Sequence, residues 1–299
     1  MGAIGGGYLG PVPEIRAATS ADVDTVFHLL SARRRLVFGS PELSRRLVAA
    51  EFGLPGFDRW LAVEGDVALG YGHLAPTQDV VVSAPDAAVG GSLLARAEEH
   101  ARTRGFAKIT VETVAEDELL SALVRRAGFT HETGVLQMSR ALDADLPEPT
   151  RPRDVTLRSY RDADGERIHA LLDAAYSAWD EHYLTTPHEE WLAYMTGHVE
   201  FDPAMWLLAE RDGDLLGCAL YWREEQGRGW LKDIAVAERE RGNGVARALL
   251  LEGFRAYAER GVERVGLKVD AANPTGALEL YERTGFVIER HHETWAKPL

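Results

Sequence analysis

The sequence predicts an α/β fold of the mixed-sheet α+β kind, built twice in tandem. Three observations carry that prediction. The chain has 299 residues, which at about 100–200 residues per domain favours two domains over one. Short stretches recur in the same order in the two halves, offset by 141 to 157 residues. Within each half, strand-like runs alternate with helix-like ones, the pattern of a mostly antiparallel mixed sheet with helices on its faces. With 45% hydrophobic and 27% charged residues, each half has ordinary globular composition and enough apolar chain for its own core.

Residues 1–13, MGAIGGGYLGPVP, read as a flexible leader. They have no basic segment or long apolar run, so they are not a secretory signal, and they lack the Ser or Thr of a myristoylation site. Residues 14–31, EIRAATSADVDTVFHLLS, give a short strand, a polar break and then apolar positions at helical spacing. Residues 155–172, VTLRSYRDADGERIHALL, repeat that order. Trp60–Asp66 and Trp206–Asp214 each form a strand and a Gly/Asp turn, with Gly70 and Gly217 on the return strands. Arg126-Ala127-Gly128-Phe129 matches Arg283-Thr284-Gly285-Phe286, each followed by a strand-like run. Between the halves, Leu146–Arg153 holds three prolines in eight residues, which favours an extended linker. The expected domains are therefore 14–145 and 154–299, joined by 146–153. Each should run strand, one or two helices, hairpin, strand, helix, strand, helix, strand. In the second, a strand over 264–269 lies between helices over 245–260 and 275–284.

Charge and cysteine content remove several function classes. The net charge is −14, with 14 basic against 20 acidic residues in 1–150 and 19 against 27 in 151–299. So even a deficit argues against a nucleic-acid partner or a polybasic membrane sensor. No apolar stretch approaches 18 residues, so no membrane span is expected, and the protein should be cytoplasmic. The single cysteine, Cys218, excludes an intramolecular disulfide and any multi-cysteine metal site. It lies in the apolar run Leu215–Leu220 and reads as a small buried hydrophobe. His291 and His292 alternate across a terminal strand with no third ligand in view, so no metal is expected.

Specific chemistry is concentrated in residues 230–250, WLKDIAVAERERGNGVARALL. Ile234-Ala235-Val236 ends a strand, and Gly242-Asn243-Gly244 opens a helix through Val245, Ala246, Leu249 and Leu250. A glycine-rich turn at a helix N-terminus offers unpaired N–H groups beside the positive end of the helix dipole, which suits a phosphate or pyrophosphate. A P-loop is excluded because no Lys-Ser or Lys-Thr follows. A dinucleotide fingerprint fits poorly, since Arg247 stands where its third glycine belongs and the acidic Asp270 comes late.

The remaining pattern, Arg-x-x-Gly-x-Gly, is met by Arg239-Glu240-Arg241-Gly242-Asn243-Gly244. Here the chain resembles the GNAT superfamily of acetyl-CoA-dependent N-acyltransferases. A second block, VGLKVDAANPTGALELYERTGF at 265–286, agrees, with Asn273, Tyr281, Gly285 and Phe286 in the family's order. Tyrosine follows asparagine by eight residues where the family often has seven. In detail, FDPAMWLLA at 201–209 included, the second half is most similar to the tandem actinobacterial acetyltransferases related to the mycothiol synthases. The resemblance implies two tandem GNAT-like domains. It also implies that acetyl-CoA serves as co-substrate, held by Arg241, Gly242, Asn243, Gly244, Val245 and Ala246, by the backbone of Ile234, Ala235 and Val236, and by Asn273.

The first half departs from this pattern at the same points. Ser83–Gly90 falls opposite the phosphate loop without arginines or Gly-x-Gly, and Asp86 places an acid there. Val124 occupies the tyrosine position and Glu116 lies near the asparagine position. The first domain is thus expected to keep the fold and to have lost catalysis.

Acyl transfer to an amine needs a held donor, a neutral amine, a stabilised oxyanion and a protonated leaving thiolate. Tyr281 is the expected acid, and Asp233 or His182 the expected base, His182 from the segment Asp180-Glu181-His182. His188, Trp191, Tyr221 and Trp222 line a pocket or belong to the core. The acceptor is expected to be a small-molecule amine attacked directly in a ternary complex, by a monomer or homodimer. Two other readings stay open on sequence alone: an NAD-binding Rossmann oxidoreductase, and a catalytically idle CoA-binding module.

Overall fold

The computed structural model describes residues 13–40, 43–142, 146–147, 152–179, 183, 185–223 and 228–299. The leader, apart from Pro13, and residues 148–151 of the linker lie outside them. The first repeat runs β1 (Glu14–Ala17), α1 (Val23–Phe38), α2 (Arg45–Phe52), β2 (Asp58–Glu64), β3 (Val67–Leu74), β4 (Asp79–Ser83), α3 (Ala87–Thr103), β5 (Lys108–Val114), α4 (Glu118–Arg126) and β6 (Thr130–Ala141). The second runs β7 (Thr156–Ser159), α5 (Gly165–Ser177), α6 (His188–Gly197), β8 (Trp206–Arg211), β9 (Asp214–Arg223), β10 (Arg228–Val236), α7 (Val245–Ala258), β11 (Arg264–Asp270), α8 (Ala277–Arg283) and β12 (Val287–Pro298). The alternation expected from the sequence is the one that folds.

Two compact units form, and their boundaries differ from the division at 146–153. The first unit holds the chain up to Gly134 together with His291–Leu299, and the second holds Val135–Arg290. In the first, strands run in the order β1-β2-β3-β4-β5-β12, with Lys108–Val114 of β5 antiparallel to His292–Pro298. In the second, the order is β6-β11-β10-β9-β8-β7, with Val135–Ala141 antiparallel to Arg264–Asp270. Each repeat therefore gives its last strand to the other's unit. Both strands alternate in the same way, so their sequences fit either sheet edge equally well.

Within each unit all pairings are antiparallel except one, β4 with β5 in the first and β10 with β11 in the second. Helices cover both sheet faces. In the second unit, Leu249, Leu250, Phe254 and Tyr257 of α7 are buried with Tyr221, Leu231 and Leu267 on one face. Burying each such leucine contributes about 2 kcal/mol. On the other face, Ile168 and Leu172 of α5 and Met195 of α6 pack on Trp206, Cys218, Leu220 and Ala235. Tyr221, one of the pocket candidates, is fully buried, and its hydroxyl donates to Leu249 O at 3.4 Å. It belongs to the core.

A close strand–helix approach is made by a corresponding glycine in each unit. A Cβ on Gly217 would lie 2.9 Å from Ala235 O and 3.1 Å from Val245 Cγ1. A Cβ on Gly70 would lie 2.8 Å from Val89 Cγ1 and 2.9 Å from Ser83 O. Only glycine lets the start of α7, or of α3, sit this close to its hairpin. That shared constraint supports the alignment of the two repeats.

Candidate active site

The second unit opens along its parallel pair. β10 pairs with β11 only over Arg228–Trp230 and Arg264–Gly266, although β10 continues to Val236 and β11 to Asp270. Beyond Trp230 the two strands part. On its β9 side, β10 stays paired as far as Val236 with Gly217. The β11-facing backbone of Leu231–Val236, including Ile234, Ala235 and Val236, thus has no strand partner among the described residues. A peptide edge of this kind can receive an extended, amide-bearing chain.

At the end of the opening lies the glycine turn. Arg241, Gly242, Asn243 and Gly244 are all exposed, and Gly242 and Gly244 have φ of 77° and 81°. Residues other than glycine adopt that left-handed region only at a cost. Gly244 is the N-cap of α7, and no side chain caps the helix. The first N–H groups of α7, those of Val245, Ala246 and Arg247, are left to an external acceptor. Among the described residues, Arg241 pairs with no carboxylate, while Arg239 is drawn away to Asp214 at 3.2 Å. Exposed amides, a helix N-terminus and a free arginine converge here, and they fit a pyrophosphate.

On β10 one residue is inserted. Leu231 pairs with Tyr221 and Asp233 with Leu220, so Lys232 forms a bulge. Residues two apart normally face the same side of a sheet, and the bulge reverses that. Leu231 faces the α7 side, whereas Asp233 points to the α5 side, where Tyr176 Oη donates to Asp233 Oδ1 at 3.0 Å. Lys232 Nζ lies 3.6 Å from Asp233 Oδ2 and 5.7 Å from the Trp222 ring. Trp222 in turn stacks on His198 at 3.9 Å and 5°.

Tyr281 is 5% exposed, held within the α7-side core against Phe286. Burial, reinforced by the negative charge of Asp233, pushes its hydroxyl well above the ordinary tyrosine value. Tyr176 is raised for the same two reasons in the same order. Cys218 is pushed up to about 12 by burial and then by Asp233, so it is an inert thiol. Tyr176 stacks on Tyr183 at 5.5 Å and 26°, and Tyr183 Oη donates to Asp173 Oδ1 at 2.9 Å.

The expected site residues are distributed as follows. Asp233 and the backbone of Ile234–Val236 lie along the strand opening, Tyr281 stands on α8 where it feels the Asp233 charge, and Arg241–Ala246 form the turn at its end. Asn273 sits in the β11–α8 loop, where its Oδ1 accepts the N–H of Thr275 at 2.9 Å and the Thr275 hydroxyl. Its carbonyl is committed to that loop, which leaves its amide N–H₂ as the group able to face a ligand. His182, with Asp180 and Glu181, lies outside the described residues. His188 and Trp191 pack with His169, the rings 5.6 and 5.1 Å from it. His292 Nδ1 lies 2.8 Å from Glu112 Oε1 in the first unit. No metal-binding group of three or more His, Cys, Asp or Glu occurs among the described residues.

Sequence reasoning missed Tyr176, Tyr183 and the bulge. Tyr176 follows Ile168 and Leu172 at helical spacing, so its inward direction was readable. Its partner, 57 residues away, was not.

Residues 166–286 match the Acetyltransferase (GNAT) family. A mycothiol acetyltransferase of Thermobispora bispora is 32% identical over 291 residues, covering 91% of this chain and 95% of that protein. The chain belongs to the GNAT acetyltransferase family. A mycothiol acetyltransferase of Streptomyces avermitilis is 29% identical, covering 95% and 93%. Among solved structures, a GCN5-related N-acetyltransferase from Sphaerobacter thermophilus superposes with a TM-score of 0.80 at 27% identity, covering 97% and 96%. A tandem GNAT protein from the clavulanic acid biosynthesis pathway gives 0.73 at 16% identity, covering 95% and 98%, and so shares the two-fold repeated architecture. This GNAT member is an acetyltransferase, and no helix among its described residues is long and apolar enough to cross a membrane.

Proposed function

We propose that the second unit transfers an acetyl group from acetyl-CoA to the primary amine of a small molecule, by direct attack in a ternary complex. The observation that carries this reading is the unpaired edge of β10, bearing Asp233, that ends in the free glycine turn. Acetyl-CoA supplies an activated thioester. The turn Arg241–Ala246 holds its pyrophosphate with backbone N–H groups and the Arg241 guanidinium. The unpaired edge of Ile234–Val236 receives the amide-bearing arm and offers an N–H to the oxyanion that develops on the carbonyl. The Asn273 amide adds a donor from the neighbouring loop.

Asp233 orients the amine and takes its proton. Once nitrogen bonds to carbon, its protons become far more acidic than those of a free ammonium, so a carboxylate suffices as base. As the N–C bond forms and the C–S bond breaks, negative charge collects on sulfur. Tyr281, kept protonated by burial, donates to it there. The net exchange is one proton from the amine to the thiol, and no covalent enzyme intermediate is needed. His182 remains a second proposed base. The acidic surroundings of Asp233 and Asp173 suit an amine-bearing acceptor. The relatives are named as mycothiol acetyltransferases, which favours an acceptor of that kind for this chain. Neither a Rossmann oxidoreductase nor an idle module is favoured.

The test is a thiol-release assay over a panel of small primary amines, with calorimetry against acetyl-CoA and NAD. Acetyl-CoA should bind and at least one amine should turn over. Arg241→Glu should weaken acetyl-CoA at least tenfold, about 1.4 kcal/mol. NAD binding without acetyl-CoA binding, or an unchanged affinity in Arg241→Glu, would overturn the reading.

A further inference from the structure

The Asp233 carboxylate has two rivals for its company. On one side is the Tyr176 hydroxyl, at 3.0 Å from Oδ1. On the other is the Lys232 ammonium, at 3.6 Å from Oδ2, beyond a normal hydrogen-bond length. Lys232 is the inserted residue of the bulge, and its own side chain leans over the Trp222 ring. A cation–π contact gives the ammonium a second resting place, but full closure onto Asp233 would tie up the oxygen that must meet the amine.

We propose that Tyr176 is a positioning residue, whose hydroxyl holds the Asp233 carboxylate toward the acceptor and away from Lys232. The proposal deepens the functional reading above and rests on it only for its kinetic half. Several features point to Tyr176 as a fixed post. Its hydroxyl belongs to α5, whose Ile168 and Leu172 are anchored in the core. Its ring is braced by the stacked Tyr183, and that ring is tied in turn to Asp173. A residue at the end of a core-anchored helix, stacked on a tethered neighbour, moves little. A hydrogen bond from it therefore fixes a carboxylate on a bulged strand, where the ladder is locally broken. Among the described residues, the titratable groups facing Asp233 are Tyr176 from α5, Tyr183 beyond it, Lys232 beside it on β10, Cys218 from β9 and Tyr281 from α8. Of these, Lys232 is the one positive charge, so it alone pulls the carboxylate off its post.

The test is a rescue experiment on the full chain. Tyr176→Phe keeps the ring and its stacking and removes only the hydroxyl. It should lower kcat/KM for the amine about tenfold, with acetyl-CoA affinity unchanged by calorimetry. Adding Lys232→Met to Tyr176→Phe should restore activity to within about threefold of wild type, because the competing charge is gone. A crystal structure of Tyr176→Phe should show Asp233 and Lys232 closed to direct contact, under about 3.2 Å. A double variant no better than Tyr176→Phe, or a Tyr176→Phe structure with Asp233 where it is now, overturns the proposal. The structural arm needs no turnover. If wild type acetylates no amine, the functional reading fails while the Asp233–Lys232 distance still decides this one.

Discussion

In both units the first hairpin is bulged at the same place, between Ala62 and Val63 and between Ala209 and Glu210, opposite Gly70 and Gly217. The next strand differs. β4 pairs with β3 in unbroken register from Ser83 to Val80, whereas β10 carries the extra Lys232. Across one layer of sheet, the first unit aligns Arg59, His73 and Val81, and the second aligns Trp206, Leu220 and Asp233. The shared bulge belongs to the fold, since both copies need it to seat a helix against a glycine. On the proposed mechanism the unshared one serves the chemistry, because it turns an acid toward α5. On the proposed reading, in which only the second unit keeps the donor site, the first repeat serves as an internal control, separating residues that build the scaffold from residues that act.

The sharpest way to break that comparison is to give the second unit what the first has at the acid position. Tyr281→Val, the residue found at Val124, should lower kcat about 10³-fold, near 4 kcal/mol, within the range for losing a positioned proton donor. Acetyl-CoA affinity by calorimetry should hold within about twofold. Tyr281→Phe should show the same kinetic loss without the cavity that valine leaves in the core. Retained turnover in Tyr281→Phe would move the proton donor elsewhere and leave the two units chemically closer than they look.

Next in size is a contrast in acid stability. Burial, and then the nearby Arg59 charge, holds His73 of the first unit down to about 4, against about 6.5 in an unfolded chain. Its Nδ1 lies 3.2 Å from the Tyr71 hydroxyl. Between those two values the unfolded chain binds the proton that the folded unit refuses, so stability rises with pH across that window. The contribution is complete above about 6.5 and is lost as pH falls toward 4, amounting to about 3 kcal/mol at most. The second unit has Leu220 at the matching place, and its own lowered histidine, His198, held down by burial and then by the Lys232 charge, stands elsewhere. His73→Leu should flatten the pH dependence of unfolding between pH 4 and 6.5 in urea titrations. An unchanged slope would assign the acid sensitivity of the first unit to other groups.

Much of this architecture was legible in the residues. The order of elements and the glycine turn follow from local patterns, namely hydrophobic period, Gly/Asp turns and Gly-x-Gly before an apolar helix, and those patterns survive folding unchanged. Three features were not legible, each for a physical reason. The exchange of β6 and β12 between units leaves no trace because both strands present the same alternation to either edge. The bulge at Lys232 adds one residue to a strand whose period-two pattern tolerates it, so Asp233 reads as facing either side. Tyr176 meets Asp233 only through tertiary packing of α5 on the sheet. The site's loop was visible, and the tuning of its carboxylate was not.

The smallest effect concerns the helix start that replaces the phosphate turn in the first unit. Asp86 is the N-cap of α3, and its Oδ1 accepts the N–H groups of Ala88 and Val89, each at 2.9 Å. The acid thus satisfies, at the start of α3, the kind of donors that α7 leaves open. Deeper in the same unit, Arg33 of α1 donates from Nε to Asp117 Oδ2 at 3.1 Å. Asp117 also caps α4 through the N–H of Leu120 at 2.9 Å. This bridge joins α1 to the start of α4, a place where the second unit has no such ion pair among its described residues. Asp86→Ala should therefore cost about 1 kcal/mol of unfolding free energy, the usual value of a lost cap, and leave acetyl transfer unaltered. It should also leave acetyl-CoA binding at one site per chain by calorimetry, because freeing the amides does not remove the Arg33–Asp117 bridge. A second binding event in Asp86→Ala would show that the cap alone closes the first unit, and that this repeat lost its donor site through a single residue.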